Sequence, residues 1–593
     1  MCGIFGYFST SKISDEKKSL LKKTSSYLLE RGPDYLGSIN KGNYFLANSR
    51  LKIVSKKNID IPIYKHDCYI SFSGEILNFK QLKFSLKQLG YNFFSDTDTE
   101  VILSLYDYYN LDFVKHLRGF FSIAIYDTKK RILVLAVDRM GNKSIFYNYN
   151  NKNLLFSSQQ SYLIRANLLK FEINKKKIDE FIVFGDVSGN QTLHSNINKM
   201  MPGEMIIYDF KELKKINYYD LKSEILKKKL ERKIGYKDSF INLDKNFSNT
   251  IKLYSNNCAY NKSILLSGGI DSGLIAMDLK NLSNELTGYT AFTSDLNAKY
   301  FNEHDQIRDL TKKYNLKTNL VSFESENIID NLKKIYSTFE EPLPSSSLLL
   351  YRLSNYMNKN SNNKICFTGD GSDEIFGGYK RHRIIRDKFN EDEDINKIIM
   401  SLNYFTTERL KKFFKKDFVI PQSRINFFKD MNNKKIFSTL DKILLYDLRF
   451  YLPMFLRSNE VIGMINSIEY RSPFTDHIFI ENVFNLKDSH RMNKSTSKVI
   501  LKKIFKNRLK SKIMKKKLFS TPFLATQFRS GRLREILESY NNNSKINSYF
   551  SIKGIKNLLN DHSKQDHTNT LMRILTLSLF LESSKWEKKI FRH

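Results

Sequence analysis

Four cysteines occur in 593 residues, at Cys2, Cys68, Cys258 and Cys366. None belongs to a C-x-x-C pair, which argues against a structural zinc site of the usual spacing. So sparse a set points to a reduced, cytosolic chain. A chain of this length buries roughly three quarters of its unfolded surface and needs no disulfide staples. Glycine (24) and proline (9) are also few, and hydrophobic residues make up 41 %. That balance excludes a collagen-like repeat, a low-complexity coat and wholesale disorder. No run approaches the roughly 18 apolar residues of a membrane span. The opening Met-Cys-Gly-Ile-Phe-Gly lacks the basic and apolar segments of a signal peptide. No internal repeat is visible.

Acidic charge is scarce. Lys and Arg number 97 against 62 Asp and Glu, a formal net charge of +35. The surplus is spread evenly: residues 1–200 hold 29 basic and 18 acidic side chains, and the other 393 hold 68 and 44. The longest basic runs are Lys175–Lys177, Lys227–Lys229 and Lys515–Lys517. A nucleic-acid module concentrates its charge, so the pattern favours a solvated lysine-rich surface over a nucleic-acid partner.

Residues 1–210 read as short strands, for example Tyr44–Asn48, Tyr69–Ser73, Phe120–Asp127 and Arg131–Val137, rich in β-branched and aromatic residues. Helices are expected at about Glu16–Leu29 and Asn78–Leu89, where apolar residues recur at three and four. This is an α+β sandwich. Residues 211–238 are lysine-rich and poor in pattern, and read as a linker. From Ser239 a helix begins. A buried strand at Ser263–Leu266 then leads through Ser267-Gly268-Gly269 into a helix from Asp271. Strand and helix alternate onward through Thr287–Phe292, Asp305–Tyr314, Thr318–Phe323 and Lys364–Thr368, the rhythm of a parallel α/β sheet. After about Asn390 the chain reads mostly helical. The expected domains are 2–210 and 239–593.

Removal of Met1 before a small residue leaves Cys2 with a free α-amine. One residue then carries both a nucleophile and a base. Four segments follow in order: Arg31-Gly32-Pro33-Asp34, Arg50-Leu51-Lys52-Ile53-Val54, Ser73-Gly74-Glu75-Ile76-Leu77-Asn78 and Thr97-Asp98-Thr99-Glu100. With them the N-terminal part resembles the class II glutamine amidotransferases, and Asp138-Arg139-Met140-Gly141 and Met201-Pro202-Gly203 extend the match. The resemblance implies an N-terminal-nucleophile sandwich with glutaminase activity. Arg50, with Leu51, Ile53 and Val54 beside it, takes the glutamine α-carboxylate through its two-pronged fork. Glu75 and Asp98 take the α-ammonium. Cys2 attacks the side-chain amide, and the Gly74 N–H stabilises the oxyanion. Ser73 stands where the family usually has an oxyanion-hole Asn. Its hydroxyl is shorter but can still donate. Glu30 stands where the family favours His.

Ser267-Gly268-Gly269-Ile270-Asp271-Ser272 lies between a strand and a helix. Glycines let the backbone approach an anion, the helix N-terminus supplies N–H groups, and Ser267 and Ser272 add hydroxyls. No Gly-Lys-Ser/Thr follows, so it is not a Walker loop. Gly369-Asp370-Gly371-Ser372-Asp373-Glu374-Ile375-Phe376-Gly377-Gly378-Tyr379 adds glycines and acids suited to Mg²⁺ beside phosphates. The two in order resemble the synthetase domain of the glutamine-hydrolysing asparagine synthetase family, an ATP pyrophosphatase. By that resemblance Asp271 and Asp373 bind Mg²⁺, and Asp370 sits next to the forming acyl-adenylate. Leu266, Ala291, Thr368, Gly369 and Tyr379 line the nucleotide site, and Lys498 stabilises charge on the phosphates. Glu303, Glu341-Pro342 and Glu469-Tyr470-Arg471-Ser472-Pro473-Phe474-Thr475-Asp476 extend the match. Glu460 and Val461 replace the usual Asp-Arg, and Leu518 replaces a Gly, in the helical part expected to shape the acceptor pocket.

The resemblance thus implies an α+β N-terminal-nucleophile sandwich (the glutaminase) followed by an α/β parallel-sheet ATP-pyrophosphatase domain with a mostly helical C-terminal part. The expected enzyme is a carbon–nitrogen ligase using glutamine, ATP and aspartate, with Mg²⁺. Ammonia is largely protonated at neutral pH and then not nucleophilic, so the family passes it between domains internally. The departures at 457–464 and 515–522 keep a second reading open: amidation of another carboxylate, such as a uronic acid of a surface polysaccharide. The charge and Ser73 motivate a third, a degenerate nucleic-acid binder. The family resemblance also allows a homodimer.

Overall fold

The structure is a computed structural model. It describes all residues except 1, 55–58, 171, 232–235, 284, 295–303, 324–327, 340, 390–393, 404–417, 433–435, 510–519, 541–550 and 591–593. The N-terminal part carries strands β1 (Gly3–Phe8), β2 (Tyr35–Lys41), β3 (Tyr44–Arg50), β4 (Ile63–Lys65), β5 (Cys68–Ile76), β6 (Gly119–Asp127), β7 (Ile132–Val137), β8 (Phe146–Asn150), β9 (Asn153–Ser157), β10 (Asn198–Lys199), β11 (Glu204–Tyr208) and β12 (Leu213–Asn217). They form two six-stranded sheets, ordered β10-β8-β9-β1-β3-β2 and β12-β11-β7-β6-β5-β4. All the pairings within them are antiparallel.

Alternation of side chains sorts each strand between two cores. Ile4 and Phe8 of β1 point inward and pack with Leu46, Ala124, Leu135 and Phe156 between the sheets. Phe5 and Tyr7 point outward into a core with Leu21 and Tyr162, under helices Asp15–Ser26 and Gln160–Arg165. On the far side, Ile70, Phe72 and Phe121 pack against helices Phe79–Gln88 and Asp98–Tyr109. The result is a four-layer helix–sheet–sheet–helix sandwich.

The segment read as a linker is not devoid of structure. β12 extends the second sheet by pairing with β11, and helix Leu221–Leu230 follows with Ile225 buried. Lys214 and Lys215 of β12 are exposed. Charged, solvated edge strands lack apolar alternation, which is why this one reads as patternless.

The second half holds β13 (Lys262–Leu265), β14 (Leu286–Phe292), β15 (Lys317–Ser322), β16 (Ile365–Phe367) and β17 (Glu469–Arg471), in the order β15-β14-β13-β16-β17. Every pairing is parallel. The chain runs outward from β13 through helix Ile270–Leu282 to β14, then returns to place β16 on the other flank of β13. Loops leaving neighbouring strands at such a switch point diverge and leave a crevice for a ligand. The two glycine-rich motifs occupy these positions, Ser267–Gly269 after β13 and Thr368–Asp370 after β16. Among the described residues past 390 the chain is helical, apart from β17 and a short bridge at Met492 and Ser497. No helix among the described residues is long and apolar enough to cross a membrane.

Candidate functional site

Cys2 stands immediately before β1 and opens onto a pocket that it lines with Arg50, Leu51, Ile53, Val54, Gly74, Glu75, Asp98 and Glu469. Seven of these eight residues come from the expected glutamine site. Arg50 ends β3, and Gly74 and Glu75 lie in β5. Asp98 begins helix Asp98–Tyr109, and its Oδ2 accepts the Ile76 N–H at 3.0 Å. Burial pushes the Asp98 carboxyl up to about 6, against the pull of backbone N–H groups. Burial also pushes the Cys2 thiol up, while the Leu51 N–H and Arg50 act the other way. Gly74 has φ +140°, and a Cβ there would meet Phe120 O at 2.1 Å, so only glycine fits.

Ser73 behaves differently from its neighbours. It is fully buried, does not line the pocket, and its hydroxyl donates to the Cys2 carbonyl at 2.6 Å. A serine has one proton to give. Here that proton fixes the main chain of Cys2. Asn48 performs a similar task. Its amide donates to Gly3 O at 2.9 Å and Phe72 O at 3.2 Å, stitching β1, β3 and β5 around the pocket. Glu30 pairs with Arg165 at 3.0 Å and does not line the Cys2 pocket.

The second site is a cavity of about 750 Å³ at the switch point, within the usual range for small-molecule sites. Ser267, Asp271, Ser272, Thr368, Gly369, Asp370, Asp373 and Tyr379 line it. Gly268 adopts φ +63° and Gly269 caps helix Ile270–Leu282. Ser267 and Ser272 hydroxyls lie 3.3 Å apart. Lys498 Nζ lies 2.6 Å from Asp271 Oδ2 and 2.5 Å from Asp373 Oδ1. Burial alone would lower this lysine, but the two carboxylates raise it above its ordinary value. Gly378 is the packing condition for that cluster: a Cβ there would meet Asp373 Oδ1 at 1.6 Å and Lys498 Cε at 2.3 Å. Tyr379 donates to Glu374 at 2.8 Å, and burial pushes the Glu374 carboxyl up to about 8. Leu266, just past β13, and Ala291 of β14 are buried and do not line the cavity, nor do Gly268 and Gly269; Leu265 does.

Sequence reasoning missed several lining residues. Asn459 donates to Asp370 at 2.7 Å, and Ser458, Tyr451 and Phe455 share its wall. Gln565–Thr570, with Met572 and Arg573, close the far side from the start of helix Thr568–Ile590. Ser458 and Asn459 fall within the divergent 457–464 segment but were not singled out there, and the others belong to no motif. Glu460 and Val461 do not line the cavity. Val461 is core, and Glu460 faces the first domain, 2.7 Å from Arg31 and 3.0 Å from Arg457. Arg457 also binds Glu341, which receives a hydrogen bond from Gln160. Glu303 and Leu518 lie outside the described residues.

The two sites are close in terms of contacts. Arg31 Nε donates to Cys2 O at 3.4 Å, and Arg31 Nη2 reaches Glu460. The residue beside Glu460 is Asn459, which holds Asp370.

Comparison with known proteins divides the chain in the same way. Residues 1–219 match the family described as glutamine amidotransferase domain, and residues 261–583 match the family described as asparagine synthase. Asparagine synthetase (glutamine-hydrolyzing) 1 of Bacillus subtilis (strain 168) is 23 % identical, over 98 % of this chain and 96 % of its own length. Asparagine synthetase (glutamine-hydrolyzing) 3 of the same organism is 25 % identical over 87 % and 86 %. A putative asparagine synthetase (glutamine-hydrolyzing) 2 of Methanocaldococcus jannaschii is 26 % identical over 64 % and 76 %.

Proposed function

The chain belongs to the asparagine synthase family, with a glutamine amidotransferase domain ahead of the synthetase part, and on that premise we propose that it is a glutamine-dependent asparagine synthetase. The observation that supports this reading is the contact chain Cys2–Arg31–Glu460/Asn459–Asp370, which links the pocket proposed to release ammonia to the cavity proposed to use it.

In the first site, Arg50 pairs with the glutamine α-carboxylate, and Glu75 and Asp98 receive the α-ammonium. The Cys2 sulfur attacks the side-chain amide carbon, and its α-amine takes the thiol proton and passes it to the leaving nitrogen. Ammonia leaves, and water then hydrolyses the thioester to glutamate. The Gly74 N–H stabilises the oxyanion. Ser73 acts by holding the Cys2 main chain rather than as an oxyanion donor.

In the second site, the 267–272 loop and its helix N-terminus bind the β- and γ-phosphates of ATP. The aspartate β-carboxylate attacks the α-phosphorus, and pyrophosphate leaves with its charge balanced by Lys498. Asp271 and Asp373 converge on one lysine ammonium, so the pair is close enough to share a cation. They would hold Mg²⁺, which neutralises phosphate charge when bound. Asp370, oriented by Asn459, lies beside the forming β-aspartyl-adenylate. Ammonia attacks its acyl carbon, releasing AMP and asparagine. The domain boundaries proposed, 2–210 for the glutaminase and 239–593 for the synthetase joined by 211–238, extend on the glutaminase side to about Asn217, where β12 ends.

The decisive assay is pyrophosphate release by the purified chain. Dependence on both glutamine and aspartate is expected; no release with aspartate overturns the acceptor assignment. The hydroxyl- and amide-bearing wall at Ser458, Asn459, Gln565 and Asn569 supports a second reading, amidation of a sugar acid. Release with a uronic acid but not aspartate would select it.

A further inference from the structure

The carboxylate expected to receive the glutamine α-ammonium is not held by the glutaminase domain alone. Glu75 is 1 % exposed, and its Oε2 is in contact with Nη2 of Arg471, 396 residues later in the chain. Its Oε1 is buried with no hydrogen-bond partner. Arg471 is itself fully buried in β17, the edge strand of the synthetase sheet. Its fork is committed on all sides: Nε binds Glu469 at 2.8 Å, and Nη1 donates to the carbonyls of Tyr254 and Asn256. Its backbone reaches the other site, because Arg471 O accepts the Thr368 N–H and Ser472 Oγ lies 2.8 Å from Thr368 Oγ1. Thr368 lines the 750 Å³ cavity.

A guanidinium with every edge engaged presents its carboxylate partner in one orientation, which a flexible ammonium cannot do. A carboxylate oxygen left buried without a donor is costly unless a ligand supplies one. We propose that Arg471 is a positioning residue for the glutamine pocket, holding Glu75 so that its Oε1 receives the substrate α-ammonium. The glutaminase would then capture glutamine only when seated on the synthetase sheet. This rests on the glutaminase reading of the Cys2 pocket.

The test compares glutamine with 4-carbamoylbutanoate, the same amide and carboxylate without the α-amino group, as substrates for ammonia release by the full chain. In Arg471→Lys, kcat/KM for glutamine is expected to fall at least tenfold, mainly through KM, while that for the deamino analogue changes less than threefold. Should Arg471→Lys fail to fold, Arg471→Gln, which keeps amide donors but loses the guanidinium fork and does not touch the pocket lining, is read in the same way, with the same selective loss expected. Equal losses for both substrates, or an unchanged glutamine KM in a folded variant, overturn the proposal and leave the glutaminase reading intact. Absence of ammonia release by the unaltered chain overturns both.

Discussion

Arg31 Nη2 lies 2.7 Å from Glu460 Oε1, and both side chains are buried at the junction of the two halves. Ser144 and Arg457 complete the shell of Glu460. Glu460→Ala leaves the Arg31 guanidinium without its carboxylate, while Arg457 keeps Glu341, and breaking a buried pair from one side costs about 3–5 kcal/mol. Denaturant unfolding should show that loss. Burial would raise the Glu460 carboxyl, but Arg31 and Arg457 outweigh it and hold it below its ordinary value. Its stabilising contribution is therefore present above the unfolded-chain value of about 4.3 and lost as pH falls through the lower folded one. The unaltered chain should lose more stability on acidification below about pH 4 than Glu460→Gln does.

Cys2→Ala removes the sulfur proposed to form the thioester. Glutamate release should fall by three orders of magnitude or more, in the range seen when a nucleophile is deleted. Pyrophosphate release driven by added ammonium salt should survive. Persistence of glutamine use would place the nucleophile elsewhere.

Asp98 must be ionised to receive an ammonium, and its carboxyl titrates at about 6 because it is buried. Hence kcat/KM for glutamine should decline as pH drops through about 6. The deamino analogue lacks the group that Asp98 meets, so its profile should not carry this limb. A glutamine profile flat from pH 5 to 7 refutes the assignment.

Lys498 bridges Asp271 and Asp373 from 2.6 and 2.5 Å. Lys498→Met should lower pyrophosphate release about 10²–10³-fold, the usual cost of losing one group that stabilises developing charge. Glutamate release in the same preparation reports whether the fold is intact. Gly378→Ala should produce a similar separation, since its Cβ would displace the Asp373 carboxylate and the Lys498 stem.

The sequence was legible where chemistry is local. A strand, a glycine turn and a helix N-terminus are specified by adjacent residues, so the 267–272 loop could be placed before its surroundings were known. The pocket residues from Cys2 to Asp98 share the first 100 positions, and their spacing follows from strands that pair nearby. β12 and β17 were not legible. One is an edge strand with exposed lysines, and the other is three residues, Glu469–Arg471, whose charges look like surface.

The sequence by itself determined the two family matches and their order, and it pointed to the proposed reactive groups of each, because these rest on short-range periodicity and on residue types with few alternative uses. Only the tertiary structure decided what those groups face. Ser73 turned its hydroxyl to Cys2, Glu460 turned to Arg31 rather than to the acceptor cavity, and Arg471 crossed the domain boundary to Glu75. Each is a buried polar group whose partner lies far away along the chain. Burial makes such a group demand a partner, and only the packed tertiary arrangement supplies one.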